Sequence, residues 1–325
     1  MRPSPDSAPT PAPARLRLGI NAGFAINRFP EPQVWLEIVG RDLGVRCVQF
    51  VADLLNPFLP PAVIDEQVAR LREHAARNDV VIDTAFTSKF TRVNHLLHPD
   101  PAQREAWAQW FERFLEIAKR LGARGVGSHF GILSVRDFED QQRRAERVEQ
   151  GIAGWQRLSR RAAELGLEFM MFEPMSVPRE IASNIPDTRA LLERVNDGAA
   201  APILLCLDVD HGDVADPAAA DPYAWLREFA RQTAVVHIKQ SKADKSAHWA
   251  FTAEHNKEGI ITAPKVLQAL RQGGAPPAGG APPAGGARDV TLALELSHRE
   301  RYPQEYQVLD DLRASVAYWR RYVRE

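Results

Sequence analysis

Four ionisable residues stand inside or at the end of short apolar runs: Glu173 in LEFMMFEP, Asp208 in ILLCLDVDHGD, His237 in AVVHIKQSK and Glu295 in VTLALELSHRE. A charge embedded in such a run is costly unless something satisfies it. Each could be a separately satisfied core polar group, but four in register on consecutive runs point to one shared partner. Two Glu, one Asp and one His form a hard, mostly oxygen donor set. It suits Mn²⁺ first or Mg²⁺, and tolerates Co²⁺ or Zn²⁺. One divalent ion per chain would also offset the repulsion between three carboxylates. Two carboxylates facing each other across a cation can take a proton from one face of a carbon and return it to the other.

Other polar residues gather on the same runs. Asp210, His211 and Asp213 follow Asp208, Lys239 and Lys242 follow His237, and His298 and Arg299 follow Glu295. Earlier runs contribute Asn21, Asp53, Thr84, Thr87 and His129. Arg179, Lys239 and Lys242 add positive charge that suits a phosphate, which needs paired N–H donors and a counter-charge; ordinary surface charge is the plainer alternative. His129, His248 and His298 are further candidates, weighed against the commoner role of a hydrogen-bonded structural histidine.

These runs belong to a regular alternation. β-rich segments occur at 16–22, 47–52, 80–85, 125–129, 167–172, 203–209, 234–238 and 290–296. Each is followed by a segment of helical period, plainest at 102–121, where Trp107, Trp110, Phe111, Phe114, Leu115 and Ile117 recur at i, i+3, i+4 spacing. Eight strand–helix units imply right-handed crossovers and a parallel sheet, most economically closed as a (β/α)8 TIM barrel. A doubly wound open sheet is the alternative, but no GxGxxG follows the first strand. In a barrel the chemistry sits at the C-terminal strand ends, where the four ionisable residues fall.

The chain has 325 residues, with 41 basic and 42 acidic side chains and a formal charge of −1. That balance argues against a general nucleic-acid binder. No run reaches 18 apolar residues, and MRPSPDSAPTPAPA has no apolar core of a secretory signal. Cys47 and Cys206 read as reduced core residues. The expectation is a cytoplasmic protein with no membrane partner. Residues 1–14, rich in proline, read as a disordered tail. The rest, 15–325, reads as a single barrel domain carrying a flexible Gly/Pro/Ala insert at 273–287.

With these motifs in hand, the sequence resembles the xylose-isomerase-like TIM-barrel sugar isomerases and epimerases, including the ketose 3-epimerases, from about Leu16 to the end apart from the insert. The family's metal ligands are a Glu in a Glu-Pro context after strand 5, an Asp after strand 6, a His on strand 7 and a Glu on strand 8. The resemblance carries these roles onto Glu173, Asp208, His237 and Glu295. It also makes His211, in Asp208-Val-Asp-His211, a substrate contact. The stretches NAGFAINRFPEP, QFVADLLNP, EPMSVPRE and HWAFTAEHNKEGIIT look most like the erythrulose 1-phosphate 3-epimerases of tetritol catabolism. The free-ketose epimerases carry an Arg six residues past the strand-7 His and a Glu six past the strand-5 Glu. Here those positions hold Ala243 and Arg179.

The resemblance implies a metal-dependent epimerase acting on a ketose or ketose phosphate. Glu173 and Glu295 would move the proton through an enediolate, in a homodimer or homotetramer. An aldose–ketose isomerase or a keto-inositol dehydratase uses similar equipment and remains an alternative. An apurinic-site endonuclease would need more histidines and a basic face. A non-catalytic sugar-phosphate sensor would have no use for two opposed carboxylates.

Overall fold

Eight parallel strands close into a ring in the computed structural model, which describes residues 16–87, 91–213, 215–243, 245–274, 289–296, 298 and 305–323. The ring strands are β1 (Leu16–Asn21), β2 (Cys47–Val51), β3 (Val81–Phe86), β4 (Gly125–His129), β5 (Phe169–Glu173), β6 (Ile203–Asp208), β7 (Thr233–Ile238) and β10 (Val290–Leu294). Their order, β1-β10-β7-β6-β5-β4-β3-β2, brings the first strand beside the last, with Leu16 opposite Val290. The expected (β/α)8 barrel is therefore the observed fold. The expected tail and the insert beyond Gly274 lie outside the described residues.

Between β7 and β10 the chain adds an antiparallel ribbon, β8 (Gln240–Lys242) with β9 (Lys245–Trp249). The sequence pattern did not announce it, because the segment has neither a continuous apolar run nor clean alternation. The first helix, Pro32–Glu37, passes directly into a π turn at Ile38–Asp42.

The helices begin and end where local chemistry directs. Helix 101–121 starts with Pro101 behind Asp100, whose carboxylate accepts from Ala102 N at 2.9 Å. It stops at Gly122, whose left-handed φ of 91° suits glycine at the end of a helix. Its apolar face, including Trp110, Phe111, Phe114 and Leu115, is buried against the barrel. Among the described residues no helix is long and apolar enough to cross a membrane.

Inside the ring, Phe86, Phe169, Met171, Leu204, Cys206, Ala234, Val235 and Ala293 form a small apolar plug. Glycine on β4 makes room for it: a Cβ on Gly125 would stand 2.1 Å from the Phe169 ring. Toward the N-terminal end of the ring, buried Asp83 on β3 accepts hydrogen bonds from Arg124 at 2.8 and 3.0 Å, from Arg17 at 3.0 Å and from Thr291 at 2.9 Å. Those four residues tie β1, β3, β4 and β10 together, leaving the opposite, C-terminal mouth to the ionisable residues.

Candidate active site

The four predicted ligands converge. Glu173 closes β5, Asp208 closes β6, His237 is the fifth residue of β7, and Glu295 follows β10. Strand register aligns them: Asp208 is opposite His237, and Ala293 lies on His237's other side, two residues before Glu295. His237 Nδ1 is 2.9 Å from Glu173 Oε1, 3.6 Å from Glu295 Oε2 and 4.0 Å from Asp208 Oδ2. His211 leans over the same oxygens, with Nδ1 3.4 Å from Glu173 Oε1 and Nε2 3.5 Å from Asp208 Oδ2.

A buried amide that sequence reasoning missed sets the orientation of His237. Gln49, on β2 across the barrel, is fully buried, and its Oε1 lies 2.6 Å from His237 Nε2. Asn21 Nδ2 donates to the same oxygen at 2.7 Å, which identifies it as the acceptor. Nε2 therefore carries the proton it donates to Gln49, and Nδ1–H faces the carboxylates; burial opposes a charge on the ring, but Glu295 and Glu173 are among the groups that hold its pKa well above the ordinary histidine value. Cys206 Sγ also lies near, 3.3 Å from Nε2. Burial pushes that thiol up to about 12, so it is protonated at neutral pH.

The electrostatics are those of a crowded anionic site with a built-in cation. Lys239 is fully buried, and its ammonium donates to Asp208 Oδ2 and, at 2.6 Å, to Glu295 Oε2. Burial works against its charge, but Asp208 and Glu295 outweigh it and hold its pKa above the usual lysine value. Burial raises a carboxylate, yet His237 and His211 keep Glu173 well below the ordinary range. Desolvation likewise opposes the Glu295 charge, but His237 and Lys239 bring it down to about 2. For Asp208 burial wins over His211 and Lys239 and pushes it up to about 6. Burial opposes a charge on His211, yet Asp208 and Glu173 raise its pKa.

The donor set fits a hard divalent ion. Glu173, Asp208 and His211 present ligand atoms within 4.8 Å of one another, as do Asp208, His237 and Glu295. Glu173, Asp208, His237 and Glu295 are the residues that would hold the ion; with Nε2 committed to Gln49, Nδ1 is the nitrogen that would give up its proton to ligate.

Other expected contacts sit elsewhere. Lys239 spends its charge on the two carboxylates rather than at the rim. Lys242 pairs with Glu258 and lies 4.9 Å over the Trp249 ring. Arg179 donates to the Leu133 carbonyl at 2.7 Å, pinning the loop after β5 to the loop after β4. His129 is the register neighbour of Glu173, but its Nε2 donates to the Val93 carbonyl at 3.1 Å. Burial lowers its pKa to about 4, which keeps the ring neutral. His298 is paired with Asp311 at 2.9 Å, and Thr87 donates to Ser128 at 2.8 Å. His248, on β9, lies 4.0 Å from Asp210 and 6.4 Å between ring centres from His211, at the margin of the site.

Comparison with known proteins agrees with this architecture. The family model for the xylose isomerase-like TIM barrel matches residues 39–277. The D-erythrulose 1-phosphate 3-epimerase of Brucella abortus (strain 2308) is 35% identical over 307 residues, covering 94% of this chain and 95% of that protein. Among solved structures, a Rhodospirillum rubrum protein provisionally named a xylose isomerase superposes with a TM-score of 0.81 at 24% identity, over 94% of this chain and 99% of its own. The D-allulose 3-epimerase of Methylomonas sp. gives 0.67 at 15% identity, over 95% and 98%. The chain therefore belongs to the xylose isomerase-like TIM-barrel family of sugar isomerases and epimerases, as an enzyme of the isomerase class.

Proposed function

We propose that this protein is a divalent-metal-dependent epimerase inverting C3 of a short ketose phosphate, with the D-erythrulose 1-phosphate of its relative's name as first candidate. The observation that carries the reading is the placement of two carboxylates, Glu173 and Glu295. They stand on ring strands separated by β6 and β7 and both face His237 Nδ1, at 2.9 and 3.6 Å.

The proton beside a ketose carbonyl is too weakly acidic to remove unaided. A bound divalent ion supplies the Lewis acid that polarises the carbonyl and the adjoining hydroxyl. Glu173 and Glu295 are both held below the ordinary carboxylate range, so a base stands on either face of the reacting carbon. One takes the C3 proton. The other, having gained a proton from solvent, returns it to the opposite face, and the stereocentre inverts without a redox cofactor. Glu295, with 30% of its side chain exposed, is the better connected to water for that exchange. His211 holds a substrate oxygen, and Gln49 and Lys239 keep the reacting groups in place. The reading brings with it Mn²⁺ as preferred ion, a role in erythritol catabolism, a cytoplasmic location and a homodimeric or homotetrameric assembly. The ion preference follows from the donor set and the location from composition, while the catabolic role and the assembly follow from the resemblance.

Proton NMR in D₂O, with Mn²⁺-loaded and EDTA-stripped enzyme, tests it. Metal-dependent deuterium uptake at C3 of erythrulose 1-phosphate, together with its C3 epimer, is expected. With erythrulose 4-phosphate, whose C1 hydroxyl is free, deuterium uptake at C1 with an aldose phosphate product would make the enzyme an isomerase instead. No exchange at either carbon would sink the tetrulose phosphate as substrate.

A further inference from the structure

Neither Arg179 nor Lys242 faces the mouth unengaged, so a phosphorylated substrate needs another cation. Arg92, in the loop after β3, is placed to supply it. Its Nε donates to Glu180 Oε1 and its Nη2 to Glu180 Oε2, both at 2.6 Å, a two-point pairing that fixes the plane of the guanidinium. The two ends differ sharply in exposure: 7% for the Glu180 side chain, 43% for Arg92. A buried carboxylate thus aims an accessible guanidinium, and with the Nε/Nη2 edge spent on Glu180, the Nη1/Nη2 edge is left for a further acceptor.

The location is set by the backbone. Val93, the next residue, accepts the hydrogen bond from His129, and His129 is the register neighbour of Glu173. The chain on the other side is strained to hold its half of the pair. Directly after Glu180, Ile181 and Ala182 take φ of 45° and 66°, a left-handed region that a β-branched residue rarely occupies. Such residues persist where the surrounding structure over-determines them, as at ligand-holding sites. Hydrogen bonding to Glu180 is the main influence raising the Arg92 pKa, and Glu173 and Asp208 contribute, which puts the guanidinium within electrostatic reach of the proposed ligand set.

We propose that Arg92, oriented by Glu180, is the residue that receives the phosphate of the substrate, and so selects ketose phosphates over free ketoses. The inference rests on the ketose-phosphate reading above and adds the residue that makes the choice. A planar guanidinium offers paired N–H groups to two phosphate oxygens, which a lysine ammonium does not.

Dihydroxyacetone phosphate and dihydroxyacetone, measured by calorimetry on the Mn²⁺-loaded enzyme, test it without turnover. The wild type is expected to bind the phosphate at least 30-fold more tightly than the free ketone, and Arg92→Ala to lose most of that ratio. Arg92→Lys should keep the charge but recover only part of the preference, and Glu180→Gln should give an intermediate loss. Melting temperature and Mn²⁺ stoichiometry of each variant confirm that the barrel and the ion site persist. A wild-type ratio near one, or an Arg92→Ala ratio within threefold of wild type, overturns the proposal. Tight, Arg92-dependent binding of the phosphate by an enzyme that shows no C3 exchange would instead uphold Arg92 and remove the epimerase reading.

Discussion

Gln49 Oε1 and His237 Nε2 lie 2.6 Å apart, joining strands that are not neighbours in the ring. The contact commits Nε2 to Gln49 and leaves Nδ1, which faces Glu173, Asp208 and Glu295, as the nitrogen that would ligate an ion. Replacing Gln49 with Met keeps the volume near and removes the acceptor. Mn²⁺ affinity should then fall about 10–100-fold, as is usual when a ligand histidine loses its outer partner. Calorimetric titration of the EDTA-stripped protein with Mn²⁺ is the check; an affinity within a factor of two of wild type would mean that packing alone orients the ring.

Lys239 bridges Asp208 and Glu295 from a fully buried position. Lys239→Met leaves both carboxylates without their cation, a change that costs about 3–5 kcal/mol when one partner of a buried pair is removed. A divalent ion at the same oxygens can take over that compensation. The variant should therefore lose more stability in EDTA than in excess Mn²⁺, read from urea unfolding under both conditions. Equal losses in both would show that Lys239 acts through packing instead.

Replacing either carboxylate proposed to carry the proton by its amide, Glu173→Gln or Glu295→Gln, should lower kcat by about 10²–10⁴-fold or more, the range for a lost general acid or base. Stopped NMR time courses on the ketose phosphate measure it. Retention of a tenth or more of wild-type kcat in either variant would remove that glutamate from the proton path.

Acid stability should depend on Asp83. Burial opposes its charge, but the hydrogen bonds and charge of Arg124, with Arg17 and Thr291, hold its folded pKa below the usual value. A carboxyl depressed on folding adds stability that is fully present above its unfolded pKa of about 3.9 and disappears as pH falls through the folded pKa. Asp83→Asn should therefore lower stability by about 3 kcal/mol at neutral pH. The gap to wild type should begin to narrow below about pH 4 and shrink further as the pH falls. Thermal unfolding at pH 7 and pH 3 decides this, and a pH-independent gap would contradict it.

Gly125 has no room for a side chain, since a Cβ there would meet the Phe169 ring at 2.1 Å. Gly125→Ala should destabilise the barrel by about 1–3 kcal/mol, the usual cost of overpacking. Guanidinium midpoints measure it.

The sequence disclosed the barrel because each strand is a short apolar run ended by a polar group, and strand β4 falls on its predicted residues, Gly125–His129. Glu173, Asp208, His237 and Glu295 were legible for the same reason, as charges conspicuous in apolar company. Gln49 was not, since a neutral amide in CVQFV reads as an ordinary strand residue until ring closure sets it against His237. Lys239 was legible as a cation but misplaced at the rim. The twofold alternation along a strand puts residues 237 and 239 on one side, so the lysine follows the histidine inward. Arg92 left no trace, because its meaning comes from a carboxylate 88 residues away.

Ring closure by β1 and β10 also governs how the protein comes off the ribosome. One edge of β1 stays open until β10 is made, about 270 residues later from Asn21 to Val290. At ~5–20 residues per second that is an interval of roughly 13–54 s. For that time a template strand is exposed on a nascent chain, and Glu295, which follows β10, is the last of the four proposed ligands to be made. Ring closure and the proposed site are therefore completed at nearly the same moment, and a truncation before Val290 forfeits both.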